Sequence, residues 1–187
     1  MNGGAGIMID KLVRTPRNIA LVLLYIACFW LYTQAASLAS PLPREELVSL
    51  NGASRLQLPD AFRGKRVLLA VGFHPRHQST LEKGVLLFDG LRATGANVQV
   101  LEVAVLDTKY KSFKPSVEAF MRKAVNEKPL MGRIYPMYTN SQAFKKSLGL
   151  QQEEYAFILL GPEGQVLWKK SAAPTASMVD SVKRLIP

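Results

Sequence analysis

Two histidines, His74 and His77, lie three residues apart in one short polar stretch, "FHPRHQSTLE", and they are the only two in the chain. Neutral imidazole is a common ligand for zinc and copper, so the pairing raises metal binding as a first chemistry. Two ligands are too few for a protein site. A third would have to come from Asp107, Glu82 or a partner, and nothing in the spacing brings either carboxylate within reach. Without it, the two are polar loop residues. Ser79 raises a second chemistry, a hydroxyl nucleophile with histidine as base. Its place three residues before Glu82 is already explained by a capping box at a helix start, so a hydrolase is not expected. A third chemistry, that of the thiolate, has little to work with. Cys28 is the only cysteine, so no intrachain disulfide can form and there is no cysteine cluster for zinc or iron and sulfur.

The elements that must position this stretch follow from periodicity. Residues 66–73, "RVLLAVGF", form an apolar run that suits a central strand covered on both faces. From Ser79 a helix is expected, with Leu81, Val85, Phe88 and Leu91 or Leu87 on one face and Gly95 closing it. "NVQVLEVAVLD" is a second strand ending at Asp107. Strand, helix and strand of this length predict a right-handed crossover and a parallel pair. "KPSVEAFMRKAV" reads as a helix with Val117, Phe120, Met121 and Val125 inward. "GRIYPMYTN" is a short extended piece that Pro136 puts at an edge or end. "NSQAFKKSLGL" is a short helix capped by Asn140 and ending near Gly149. "YAFILLGPEGQVLWKK" is a β-hairpin turning at residues 161–164, and a last helix starts at Thr175 or Ser177 with Met178, Val179, Val182 and Ile186 buried.

This order, together with "LQLPDAFRGKRVLLAVGF" and "FILLGPEGQVLW", resembles the thioredoxin-like superfamily, in its membrane-anchored thiol-reductase and peroxiredoxin branches. The resemblance covers about residues 55–187 and implies an α/β three-layer sandwich around a central mixed sheet. It also implies a vacated active site. In the thiol-reductase branch the two cysteines would fall at Gln78 and Leu81. In the peroxiredoxin branch the proline and threonine would match Pro75 and Ser79, and the peroxidatic cysteine would fall on Glu82. The proline that precedes the family's hairpin is missing from "LGLQQEEYAF". Both reactions need a thiolate nucleophile, so neither is expected of this domain. The stretch "FKKSLGLQQEEYAFILLGPEGQVLWKK" is also similar to the carboxyl-terminal wording of a mitochondrial ATP synthase assembly factor with a degenerate thioredoxin-like fold. That likeness points to an assembly role without naming a client.

Of 187 residues, 24 are Lys or Arg and 14 are Asp or Glu, a balance that attracts anionic partners. Residues 109–146 carry Lys109, Lys111, Lys114, Arg122, Lys123, Lys128, Arg133, Lys145 and Lys146 against Glu118 and Glu127. The span is either a solvated helical face or a docking face for an acidic surface, with Lys109, Lys111, Lys114, Lys145 and Lys146 as partner-binding candidates. It holds no groove-reading motif, so nucleic acid is not an expected partner.

Residues 18–43 contain no charged side chain, and Lys11, Arg14 and Arg17 precede the apolar block at 19–32. This is a membrane-targeting pattern: a basic cytoplasmic region at 1–17, a transmembrane anchor or signal helix at 18–39, a linker at 40–54 and the domain at 55–187. About 20 residues span a bilayer core, so the stretch to Ala36 or Ala39 suffices. The small residues before Ser40 would also suit signal cleavage; an uncleaved anchor is the favoured reading because the segment is long for a signal peptide. Either way the domain lies outside the cytoplasm, in the bacterial periplasm rather than a mitochondrial compartment. The function expected is a non-catalytic, tethered domain binding a protein partner, without cofactor, in assembly or maturation of an envelope complex. The alternative is a redox or metal-delivery accessory protein acting through His74 and His77.

Overall fold

The computed structural model describes residues 42–93, 95–150 and 152–186. The expected basic region, the apolar segment 18–39 and Cys28 lie outside them. No helix among the described residues is long and apolar enough to cross a membrane.

The folded unit begins earlier than the linker expected at 40–54 allows. Glu46–Val48 (β1) pairs antiparallel with Arg55–Gln57 (β2), and Leu42, Leu47 and Leu50 are buried. The prolines and charges of "SPLPREE" suggested a linker. Instead, Leu42 and Leu47 pack into the core on one face of the main sheet and Leu50 into the core on the other.

That sheet has five strands in the order β5-β4-β3-β6-β7. Its centre is Arg66–Gly72 (β3), buried from Val67 onward, which explains the uninterrupted apolar run. Val98–Asp107 (β4) lies parallel to β3, and Ile134–Thr139 (β5) lies parallel to β4 at the edge, where Pro136 is tolerated. Tyr155–Leu160 (β6) and Val166–Lys170 (β7) complete the sheet as the expected antiparallel hairpin. The sheet is therefore mixed.

Among the described residues, four helices cover it. Gln78–Ala93 (α1) crosses from β3 to β4, Lys114–Ala124 (α2) crosses from β4 to β5, Ser141–Ser147 (α3) follows β5, and Ala176–Lys183 (α4) closes the chain. Leu81, Val85, Phe88 and Leu91 of α1 pack with Met178 and Val182 of α4 on one face. Phe144 and Leu148, at α3, pack with Leu47 and Phe62 on the other. This is a three-layer arrangement with helices on both sides of one sheet.

The packing of α1 is close. A Cβ at Gly84 would lie 2.1 Å from the Phe157 ring, so only glycine lets the helix settle there. One turn on, the Phe88 ring centroid is 5.6 Å from that of Phe157 and 6.3 Å from that of Trp168. Gly95, at φ +83°, takes the left-handed conformation just past the end of α1 and donates its N–H to Arg92 O.

α2 departs from expectation. Val125 is buried and Met121 packs partly against the core, but Phe120 is 63% exposed and no residue within α2 is fully buried. The 3.6-residue period identified the helix, but its inward stripe is narrower than the four residues expected.

Candidate functional site

The vacated turn leaves the carboxyl end of β3, where open α/β sheets place their ligands. His74 has extended backbone and its Nδ1 accepts the Arg76 N–H at 3.1 Å, starting a 3-10 turn at Pro75–His77 that runs directly into α1. Proline suits this first position because it has no N–H to leave unpaired. The helix thus begins at Gln78, and Ser79 is its second residue, exposed, rather than its cap. Glu82 does not fold back to close a capping box either. It is buried, and its Oε1 accepts from Gln78 Nε2 and from the Asn126 N–H, both at 3.1 Å. Glu82 therefore ties α1 to the residues just past α2.

His77 turns the other way. Its Nε2 lies 2.7 Å from Glu154 Oε2, and its ring stands 4.7 Å from that of Tyr155. Arg76 closes on the same carboxylate through Nε at 2.9 Å and through its Nη2. These hydrogen bonds from Arg76 and His77 hold the Glu154 carboxyl down at about 2. Behind this cluster the Phe73 N–H donates to Glu154 O at 2.8 Å, so the turn is fastened to the residues preceding β6. The two histidine rings sit 6.5 Å apart, edge to face, with one nitrogen of each already engaged. Asp107 accepts the Lys109 N–H at the start of the 3-10 turn Thr108–Phe113. Neither carboxylate considered as a third ligand faces the histidines as one, and among the described residues no group of three or more His, Cys, Asp or Glu could hold a metal ion.

Beside the turn lies a groove of about 100 Å³. Its floor is Ala104 and Leu106 of β4, its walls are Gln78 and Leu81 of α1 and Val117, Phe120 and Met121 of α2, and its mouth is Phe73, His74 and Pro75. The lining is mostly apolar. Below the floor, on the same side of β4 by the two-residue alternation of a strand, sits Glu102. It is fully buried, and neither carboxyl oxygen has a hydrogen-bond partner among the described residues; the Gln78 side chain approaches without closing one. Burial pushes its carboxyl up to about 8, the Gln78 side chain opposing and Glu82 adding to the rise. At neutral pH Glu102 is a protonated acid beneath an apolar groove.

The expected site residues are thus split. His74, Pro75, Gln78 and Leu81 line the groove, whereas His77 and Ser79 do not and Glu82 lies inside. The lysines do not form one face. Lys109 and Lys111 stand on the 3-10 turn and Lys114 begins α2, while Lys145 and Lys146 ride on α3, which covers the opposite side of the sheet. Lys145 alone reaches the turn, its Nζ 4.7 Å from the Phe73 ring centroid. Sequence reasoning missed Glu102 and Glu154. The first had a signal, a lone carboxylate in the otherwise apolar "VLEVAV"; the second, in a run of polar residues, had none.

No family model and no curated protein matches the chain. Solved structures do. The thioredoxin domain of a thiol-disulfide oxidoreductase from Bacteroides vulgatus is 17% identical, with 80% of this chain and 99% of that one covered at a TM-score of 0.54. The exposed lipoprotein thioredoxin Etrx1 of Streptococcus pneumoniae is 14% identical over 75% of this chain and 98% of that one, at 0.52. The fold is thioredoxin-like. BsSco, a member of the Sco family of cytochrome c oxidase assembly proteins, is 19% identical over 78% of this chain and 94% of that one, at 0.50. Identities this low carry the fold alone. On that fold the turn after the central strand reads His74-Pro75-Arg76-His77, and the single cysteine of the sequence lies at position 28, outside the domain.

Proposed function

We propose that this chain is a membrane-tethered, non-catalytic thioredoxin-like domain that binds a protein partner during assembly or maturation of an envelope complex. The observation that carries the reading is the apolar groove at the pole where this fold does its chemistry, open between α1 and α2 and free of any cysteine. An apolar pocket with few polar groups is built for recognition. A partner's apolar side chain would lie between Phe120 and Phe73, and an acidic neighbour would meet Lys145 above the Phe73 ring. The Arg76–His77–Glu154 cluster keeps the mouth in shape. Tethering rests on the charge-free segment at 18–39 behind Lys11, Arg14 and Arg17, which would hold the domain outside the cytoplasm. Crosslinking in native membranes through a photoreactive residue at position 120 tests it. A discrete adduct with one protein, lost when Lys145→Glu is added, is expected; crosslinks no different from those at the far edge residue Leu167 would overturn it.

A further inference from the structure

The folded domain receives the chain at a particular place. Leu42 and Pro43, the first of the described residues, lie in a hollow against Thr139 and Asn140 at the carboxyl end of β5. Thr139 stands opposite Asp107 in the parallel register, and the 3-10 turn Thr108–Phe113 starts at the next residue. Two residues on from Pro43, Glu45 lies within electrostatic reach of Lys111 and Lys114. The entry point and that turn therefore share one pole of the sheet.

The turn itself, "TKYKSF", exposes two large rings, Tyr110 at 43% and Phe113 at 63%, interleaved with Lys109 and Lys111 and followed by Lys114. Lys109 lies over the Tyr110 ring at 5.2 Å. Of the acids nearby, Asp107 caps the turn, Glu118 pairs with Lys114 at 3.8 Å and Arg122 at 4.0 Å, and Glu45 interacts with Lys111 and Lys114. Protruding aromatic rings among lysines match the interfacial zone of a bilayer, where rings sit at headgroup depth and lysines meet anionic headgroups. The length of chain agrees. From Ala39 to Leu42 is three residues and from Ala36 six, a reach of about 10 to 20 Å at full extension.

We propose that this pole, led by Tyr110, Phe113, Lys109 and Lys111, docks on the anionic lipid surface of the membrane that holds residues 18–39. The proposal rests on the anchored reading given above and adds an orientation to it. Because β3, β4 and β5 are parallel, the groove opens at this same pole, so docking turns the tether into a fixed mount and restricts a partner to the directions that the bilayer leaves open.

Hydrogen exchange of the full-length chain in nanodiscs tests it, with no other protein present. Discs of phosphatidylglycerol and phosphatidylcholine in equal parts are compared with discs of phosphatidylcholine alone. In the anionic discs, exchange across residues 108–116 slows about tenfold or more, exchange in β7 is unchanged, and Lys109→Glu with Lys111→Glu and Phe113→Ser removes the slowing. Unchanged exchange in β3 of the triple variant shows that it folds. Equal exchange in both lipids overturns the docking while leaving the anchor standing. Slowing in native membranes but not in the protein-free anionic discs overturns it too and assigns the face to an acidic protein. A chain that leaves its membrane on carbonate washing overturns both docking and anchor.

Discussion

α1 and α2 both cross between parallel strands of one sheet, yet one is built into the core and the other lies along it. α1 buries Leu81, Glu82, Gly84, Val85, Phe88 and Leu91, whereas α2 buries none of its residues fully and holds Phe120 out to solvent. That phenylalanine is part of the groove wall. The difference separates scaffold from surface: α1 fixes the vacated turn in place, and α2 supplies the open wall of the groove beside it.

The sharpest way to break this contrast is to truncate each helix. Phe88→Ala removes a ring packed against Phe157 and Trp168 and is expected to lower stability by about 3 to 5 kcal/mol in denaturant unfolding. A loss below about 1 kcal/mol, the range of a peripheral contact, would deny α1 its scaffold role.

The seam between the two helices gives the next effect. Between the ordinary carboxylate value of 4.5 and about 8, Glu102 in the folded chain keeps a proton that the unfolded chain has released. Stability therefore falls as pH rises through that window and levels off above it. Glu102→Gln should flatten this slope and stabilise the domain by several kcal/mol at pH 9, as read from unfolding midpoints across pH. A slope unchanged by the substitution would place the proton elsewhere.

On the surface side, Phe120→Ser should change stability by no more than about 0.5 kcal/mol while removing partner capture. Parallel loss of stability and capture would make α2 a second scaffold helix. The smallest effect belongs to Glu154, whose carboxyl is held at about 2 by Arg76 and His77. Its pairing persists at neutral pH and is lost only as pH falls below the ordinary 4.5 towards 2. A carboxyl carbon resonance titrating in that acidic range, and moving up in Arg76→Ala, checks it.

The same contrast explains what the sequence disclosed. Strand β3, helix α1 and the closing hairpin were legible because each is specified locally, by an apolar run, a 3.6-residue stripe or a glycine turn. Leu42, Leu47 and Leu50 were hidden behind prolines that suggested a linker, since their burial depends on a sheet formed much later in the chain. Phe120 was misread because periodicity shows that a helix is amphipathic but not how wide a face its neighbours cover. The capping box at Ser79 and Glu82 was plausible locally, but Pro75 started a tighter turn four residues earlier and Glu82 was drawn inward to Asn126. The vacancy itself was fully legible, because an absent cysteine needs no tertiary context.

The role proposed for this domain is recognition without thiol chemistry. Its most direct test is turnover by the purified full-length chain carrying Cys28→Ser, with insulin and dithiothreitol for disulfide exchange and with hydrogen peroxide for peroxidase activity. Rates equal to those without protein are predicted. Saturable turnover of either substrate, in proportion to the amount of chain added, would contradict it.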